Sequence, residues 1–370
     1  MQSKKSQKTD SYGYGGRIMK KLSLCLCMFL VSCASKTPSK SSTASSAAHF
    51  PPAKQTPAPQ LIVQADYTET LDTYSAVIEG TKIATKGGFA KVKELMSDDE
   101  IFNVKSAVGY SVEDVDHDGT DECIIGEIRK FDNGEVYTND VYAIYAIDNN
   151  EVNLLLDVIS PAYAFRFDEN AFFYGSTEAD GASHYGIFHL EKGKLKWKEF
   201  FFTKDHNTFY KNTTGNLDIS NSEKISITED DFIHDQMTYA LIEYTNDYNS
   251  IENYDIGLRA DWAKDRDLSK YKTYEEYVVD ASAEQILLTP VAPLKNIKLL
   301  SVEYTTEEFK TKEIRTIDTL DPAHPLCLTT YLESTIPNIA IQFEYKDQVQ
   351  TYTISLSGFD GSIVLTPLEI

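Results

Sequence analysis

The chain has 370 residues, with 57 acidic against 35 basic side chains and a net charge of −22 at neutral pH. A hydrophobic fraction of 42% beside 25% charged residues is globular composition, which excludes wholesale disorder, collagen and a multi-span membrane protein. Strong acidity also argues against a binder of phosphate backbones, so no nucleic acid is expected as a partner.

In chain order, Lys20-Lys21 form a short basic region ahead of the apolar run Leu22 to Val31. About ten residues are too few to span a bilayer and suit a signal-peptide core. The run ends in Leu30-Val31-Ser32-Cys33. That tetrapeptide resembles a bacterial lipobox: two aliphatic residues, a small residue, then the cysteine that receives diacylglycerol before cleavage. The resemblance implies a signal peptide over residues 1–32 and lipidation at Cys33, with palmitate-type chains. A mature protein held at the cell membrane, facing outside the cytoplasm, follows from it, since two acyl chains anchor stably. Residues 1–18 are polar and Gly-rich, unlike a charged leader, so translation is expected to start at Met19. Loss of residues 1–32 removes six basic residues and one acid, which leaves 338 residues at a net charge of −27.

Residues 33–60 follow as the lipidated cysteine and a Ser/Thr/Ala/Pro-rich stretch that cannot build a core and reads as a disordered tether. Flexible-chain scaling gives it a reach of roughly 30 Å. The body is expected to divide into an α+β central domain over 61–293 and a small all-β, sandwich-like domain over 294–370. The central domain opens with a helix. Asp66 and Glu69 have capping-box spacing, Tyr67, Leu71, Tyr74 and Ile78 share one face, and Gly80 suits the C-terminal cap. A second helix is expected over Ala90 to Met96, and strand pattern begins at Val104.

Strands are predicted over Val108–Val112, Glu122–Ile128, Val141–Ile147 and Val152–Val158, with a hairpin turn at Asp148-Asn149-Asn150. Ala162–Phe167, Ala171–Tyr174, Tyr185–Leu190 and Lys194–Phe202 continue the mostly antiparallel sheet. Leu195 and Trp197 alternate with lysines and so face the core. Thr228 then caps a helix with Asp231, and Ile233, Met237, Leu241 and Tyr244 form its expected apolar stripe. Thr273 and Glu276 have capping-box spacing and predict another short helix. From Lys295 onward only strand pattern remains. The acidity is concentrated: residues 61–293 carry −25, residues 294–370 carry −5.

One stretch carries chemistry. Residues 113–122 read Glu-Asp-Val-Asp-His-Asp-Gly-Thr-Asp-Glu, with six carboxylates in ten positions. Oxygen donors at this density suit a hard cation, and Ca²⁺ takes six to eight of them. Asp114, Asp116 and Asp118 fall at positions 1, 3 and 5 of a calcium loop, Gly119 at the sharp turn, and Thr120 where a backbone carbonyl would serve. An EF-hand is rejected because position 12 is Ile125 and the flanks are strands. The segment Asp114 to Gly126 resembles the strand–loop–strand calcium loop of integrin-type FG-GAP repeats. That resemblance implies Glu122 at the closing position and Ca²⁺ as the cofactor. An acidic hairpin turn with merely solvated carboxylates is the competing reading. More broadly, the lipobox, the single Asp-rich loop, the Tyr-rich strands and the closing β segment resemble a group of Firmicutes-type bacterial lipoproteins to which no activity is attached.

Of the five cysteines, Cys25 and Cys27 lie in the signal and Cys33 is the lipidation residue, leaving Cys123 and Cys327. These are 204 positions apart and are expected as two separate buried thiols. His184 and His189 are five apart on a strand and face opposite sides. Trp262 is expected to be packed, with an exposed ring for sugar or peptide stacking as the alternative. No nucleophile, zinc-binding or phosphate-loop motif is present. The expected function is a surface binding or interaction module stabilised by Ca²⁺, with a cell-wall glycan or protein as ligand. A hydrolase using central-domain acids, and a structural envelope component, stay open as alternatives.

Overall fold

In a computed structural model the described residues are 67–368, apart from 99, 100, 102, 131–135, 178–182, 204–207, 215–219, 221, 241–243, 272, 305–308, 335 and 359–360. The segments expected as signal and tether, Cys33 and Asp66 lie outside them. The first helix, α1 (Thr68–Ile78), buries Leu71, Tyr74 and Val77, and Gly80 ends it in a left-handed conformation at φ +73°. Among the described residues, no side-chain cap is made by the residue at its N-terminal cap position. Tyr67 occupies that position, and its hydroxyl donates instead to the Asp121 carbonyl at 2.8 Å. After α2 (Phe89–Met96), the chain makes one helical turn, α3 (Val104–Ala107), at the head of the stretch read as strand pattern. Asn103 caps that turn through the Ser106 N–H, and the first strand begins at Val108, where it was predicted.

The first sheet then assembles from β1 (Val108–Glu113), β2 (Glu122–Glu127), β5 (Val141–Asp148) and β6 (Glu151–Asp157), with the small ribbon β3 (Arg129–Lys130) and β4 (Val136–Tyr137) between β2 and β5. Its order is β13-β1-β2-β5-β6, where β13 is Asn249–Ser250, followed by α5 (Ile251–Ile256). Asn149 and Asn150 both adopt positive φ, which makes the tight turn from β5 to β6. Both faces of this sheet are covered. Cys123, Ile125, Tyr142 and Tyr145 pack under α1, α2 and α5, while Ile124, Val141 and Ile144 pack on the opposite side. Double coverage explains why β2 and β5 read as continuous apolar runs rather than alternating ones.

The opposite side meets a six-stranded antiparallel meander, β12-β11-β10-β9-β8-β7. Its strands are β7 (Tyr163–Asp168), β8 (Ala171–Thr177), β9 (Ser183–Leu190), β10 (Leu195–Thr203), β11 (Phe209–Asn212) and β12 (Glu223–Ile225). Phe172 and Phe188 stack at 5.1 Å and join Ile124, Ile144 and Leu156 in one core between the two sheets. Leu195 and Trp197 are packed against it and Lys196 and Lys198 are exposed, as their alternation predicts. The meander's other face carries Phe165, Phe173, Tyr185 and Phe201, covered by α4 (Glu229–Ala240). Thr228 and Asp231 form a reciprocal cap on that helix. The predicted stripe is corrected at Ile233, which is exposed, while Phe232 with Tyr239 faces the aromatic layer; Leu241 and the Met237 side chain lie outside the described residues. Seven residues apart, those two rings share one helical face and bury more surface than Ile233 could.

The remaining strands form a four-stranded sheet, β14-β16-β19-β15, and a five-stranded sheet, β18-β17-β20-β21-β22. These are β14 (Leu258–Trp262), β15 (Glu275–Val278), β16 (Gln285–Pro290), β17 (Leu294–Tyr304), β18 (Phe309–Leu320), β19 (Leu326–Thr329), β20 (Ile339–Tyr345), β21 (Gln348–Leu356) and β22 (Ile363–Pro367). Leu258, Ile286 and Leu288 share one core with Leu299, Ile341 and Phe343, so strands on both sides of Leu294 build it. The helix expected at Thr273 is instead β15, paired parallel to β19. Tyr277 and Val278 favour a strand, and the Tyr277 ring packs on this core beneath the Arg315 guanidinium at 5.8 Å. Trp262 is partly buried against the same core, its indole N–H donating to the Gly361 carbonyl at 3.1 Å. The fold is thus mostly antiparallel β with few helices. No helix among the described residues is long and apolar enough to cross a membrane.

Candidate metal centre

The loop from Asp114 to Asp121 joins β1 to β2, whose register pairs Glu113 with Glu122. Two residues make its reversal feasible: His117 at φ +59° and Gly119 at φ +94°. The aspartates wrap the backbone. Asp114 accepts the Asp118 and Gly119 N–H groups at 3.0 Å, and Asp118 accepts the Thr120 N–H at 2.8 Å. Asp116 accepts the Asp118 N–H at 3.1 Å and, from the β9–β10 turn, the Gly193 N–H at 3.0 Å.

Glu122 is the decisive side chain. It is fully buried, and its Oε2 accepts the Val115 N–H at 3.0 Å. Its other oxygen, Oε1, is buried without a hydrogen-bond partner. Burial first, and then the charges of Asp116, Asp118 and Asp114, push its carboxyl up to about 8. Burial, with Asp114 and Glu113 nearby, also raises Asp121. A buried carboxylate oxygen facing other carboxylates is costly unless a cation or a proton satisfies it.

Carboxylate oxygens of Asp114, Asp116 and Glu122 lie within 4.8 Å of one another. Two oxygens on one Ca²⁺ can be separated by at most twice the bond length, roughly 5 Å, so this trio can share one ion. Asp118 falls outside the trio, turned to the Thr120 N–H. Thr120 is half-buried beside them. Three carboxylates suit Ca²⁺ chemically, since all are hard oxygen donors.

Three further contacts were not foreseen from the sequence. Tyr67 holds Asp121 from α1. Gly193 reaches Asp116 from 77 positions away. Arg166, only 1% exposed, donates to Glu113 Oε1 at 2.8 Å and Asn246 Oδ1 at 3.1 Å, with its guanidinium 4.9 Å from the Tyr244 ring centre. An arginine between two phenylalanines on an otherwise apolar strand was the available signal for that last contact. Elsewhere, His184 lies against Tyr174 and Phe200, and His189 meets the Asn170 carbonyl. Cys123 and Cys327 are separate buried thiols. Among the described residues, an open cleft of about 330 Å³ is lined by Ala263, Lys264, Leu268, Glu284 and Gln285, away from this loop in sequence.

No protein-family model matches the chain, and no curated protein sequence is significantly similar to it.

Proposed function

We propose that the protein is an extracytoplasmic lipoprotein, anchored through Cys33, whose body is a binding or interaction module stabilised by Ca²⁺ at the β1–β2 loop. The observation that carries the calcium assignment is the buried Glu122 carboxylate, which leaves Oε1 without a partner and has an oxygen within 4.8 Å of carboxylate oxygens of Asp114 and Asp116. A solvated acidic turn has no reason to bury one of its carboxylates completely. The lipobox and the apolar run before it support the anchor and the outward-facing location. A cell-wall glycan or a protein is the ligand class we favour, and nucleic acid is disfavoured by the charge. The finer architecture in this reading is two β-rich units, in which the strands from Leu258 onward belong with the C-terminal set because they share its core.

Calorimetric titration of the chain with CaCl₂ after EDTA treatment tests the ion, with Asp116→Ala as the control. Heat lost in the variant supports the site, and equal heats in both proteins sink it. Retention of the calcium-loaded protein on purified cell-wall glycan or on surface protein arrays tests the ligand class.

A further inference from the structure

Val115 sits between two of the candidate ligands, Asp114 and Asp116, yet it is 1% exposed. Its side chain belongs to the core between the first sheet and the meander, with Ile124, Ile144, Phe172 and Phe188. Its N–H is held by Glu122 Oε2. One residue thus carries its backbone in the ion site and its side chain in the joint between two sheets.

The same loop touches the ends of two meander hairpins. Asp116 accepts the Gly193 N–H in the β9–β10 turn at 3.0 Å, where Lys192 and Gly193 both have positive φ. At the β7–β8 turn, His117 Nε2 lies 3.6 Å from Glu169 Oε1, and Glu113, next to Asp114, pairs with Arg166 at 2.8 Å. Arg166 in turn bonds the Glu169 carbonyl at 3.1 Å. The ion site is therefore tied to the meander by a buried apolar plug and three polar links, which reach two hairpins.

We propose that cation binding at this loop acts as a clamp that governs how tightly the meander's β7–β8 and β9–β10 hairpins dock on the first sheet. The inference rests on the calcium reading above and goes beyond it, because an ion serving only its own loop would leave both hairpins unchanged. Without the ion, Asp114, Asp116 and Glu122 repel at short range. Moving Asp116 breaks its bond to Gly193, and moving Glu122 releases the backbone that seats Val115. Both changes loosen the same corner of the joint. Coupling between two sites is reciprocal, so a loosened joint must also weaken the ion.

Hydrogen exchange read by mass spectrometry tests the clamp on the full chain, in EDTA and in millimolar CaCl₂, with calorimetry of Ca²⁺ binding in parallel. The expected result is slower exchange with Ca²⁺ in residues 165–170 and 188–195, by about 5-fold or more, alongside protection of the loop. Val115→Ala keeps every candidate ligand. It is expected to bind Ca²⁺ more weakly, by a factor matching the hairpin protection it loses. Binding heat with protection confined to residues 113–122 overturns the clamp and leaves the ion site standing. Equal hairpin protection in Val115→Ala and wild type also overturns it. Absence of binding heat overturns the ion site and the clamp together.

Discussion

Glu122→Gln separates the proton from the charge at the buried position. The carboxyl moves from an ordinary value near 4.5 to about 8. At 1.36 kcal/mol per pKa unit, ionising it in the folded, ion-free chain costs about 5 kcal/mol. The folded pKa lies above the unfolded one, so the folded state binds the proton more tightly. That contribution is fully present below about pH 4.5, declines as pH rises, and is gone above about pH 8. In EDTA, wild-type stability should therefore fall by about 1.4 kcal/mol per pH unit across most of this window. In saturating Ca²⁺ the ion takes the proton's place and this component of the slope disappears. Glutamine mimics the protonated acid and cannot titrate. In EDTA at pH 9 the variant should exceed wild type by about 5 kcal/mol, roughly 10 °C in Tm, and it should gain little from Ca²⁺. Circular-dichroism melts from pH 5 to 9, with EDTA and with CaCl₂, read all of this. Parallel pH profiles for the two proteins in EDTA, or an undiminished calcium gain in the variant, would refute the reasoning.

Three further outcomes are expected. Asp116→Ala should abolish the rise in Tm on adding Ca²⁺, while Asp118→Ala should reduce it less, because Asp118 lies outside the carboxylate trio; matched melts decide. Gly126→Ala should destabilise the fold by about 3 kcal/mol or prevent folding, since its methyl group would meet the Asp140 carbonyl oxygen at 2.0 Å; urea denaturation measures this. Cys33→Ser should move the protein from the membrane pellet to the soluble fraction of fractionated cells, and equal partitioning of both forms would contradict the anchor.

Local rules made much of this fold legible. Asn149-Asn150 between two apolar runs is a hairpin turn on conformational grounds alone, and Thr228 with Asp231 is a helix start because both bonds of the cap close within four residues. The meeting of the Asp114, Asp116 and Glu122 carboxylates was legible for the same reason, all three falling within nine consecutive residues. What failed was set by distant partners. Thr273 and Glu276 have the spacing of a cap, but β19 offered its edge and a strand won. Ile233 has helical spacing, but the aromatic layer of the meander selected Phe232. Nothing near Asp116 in sequence announces Gly193, and nothing near Glu113 announces Arg166. The first sheet's double coverage also hid the two-residue period that normally marks which face is inside.

The two buried thiols lie in separate packing environments. Cys123 is in the core beneath the first helices, and Cys327 packs with Ala263 and Leu287 in the C-terminal region. Burial pushes both thiols up, Cys123 far up, so almost no thiolate forms at neutral pH. Neither can readily exchange or oxidise while its surroundings stay closed. Each is also a native probe at a different address. Timed alkylation under mild denaturant would report, from one sample and without an engineered label, whether the two regions open together or one ahead of the other.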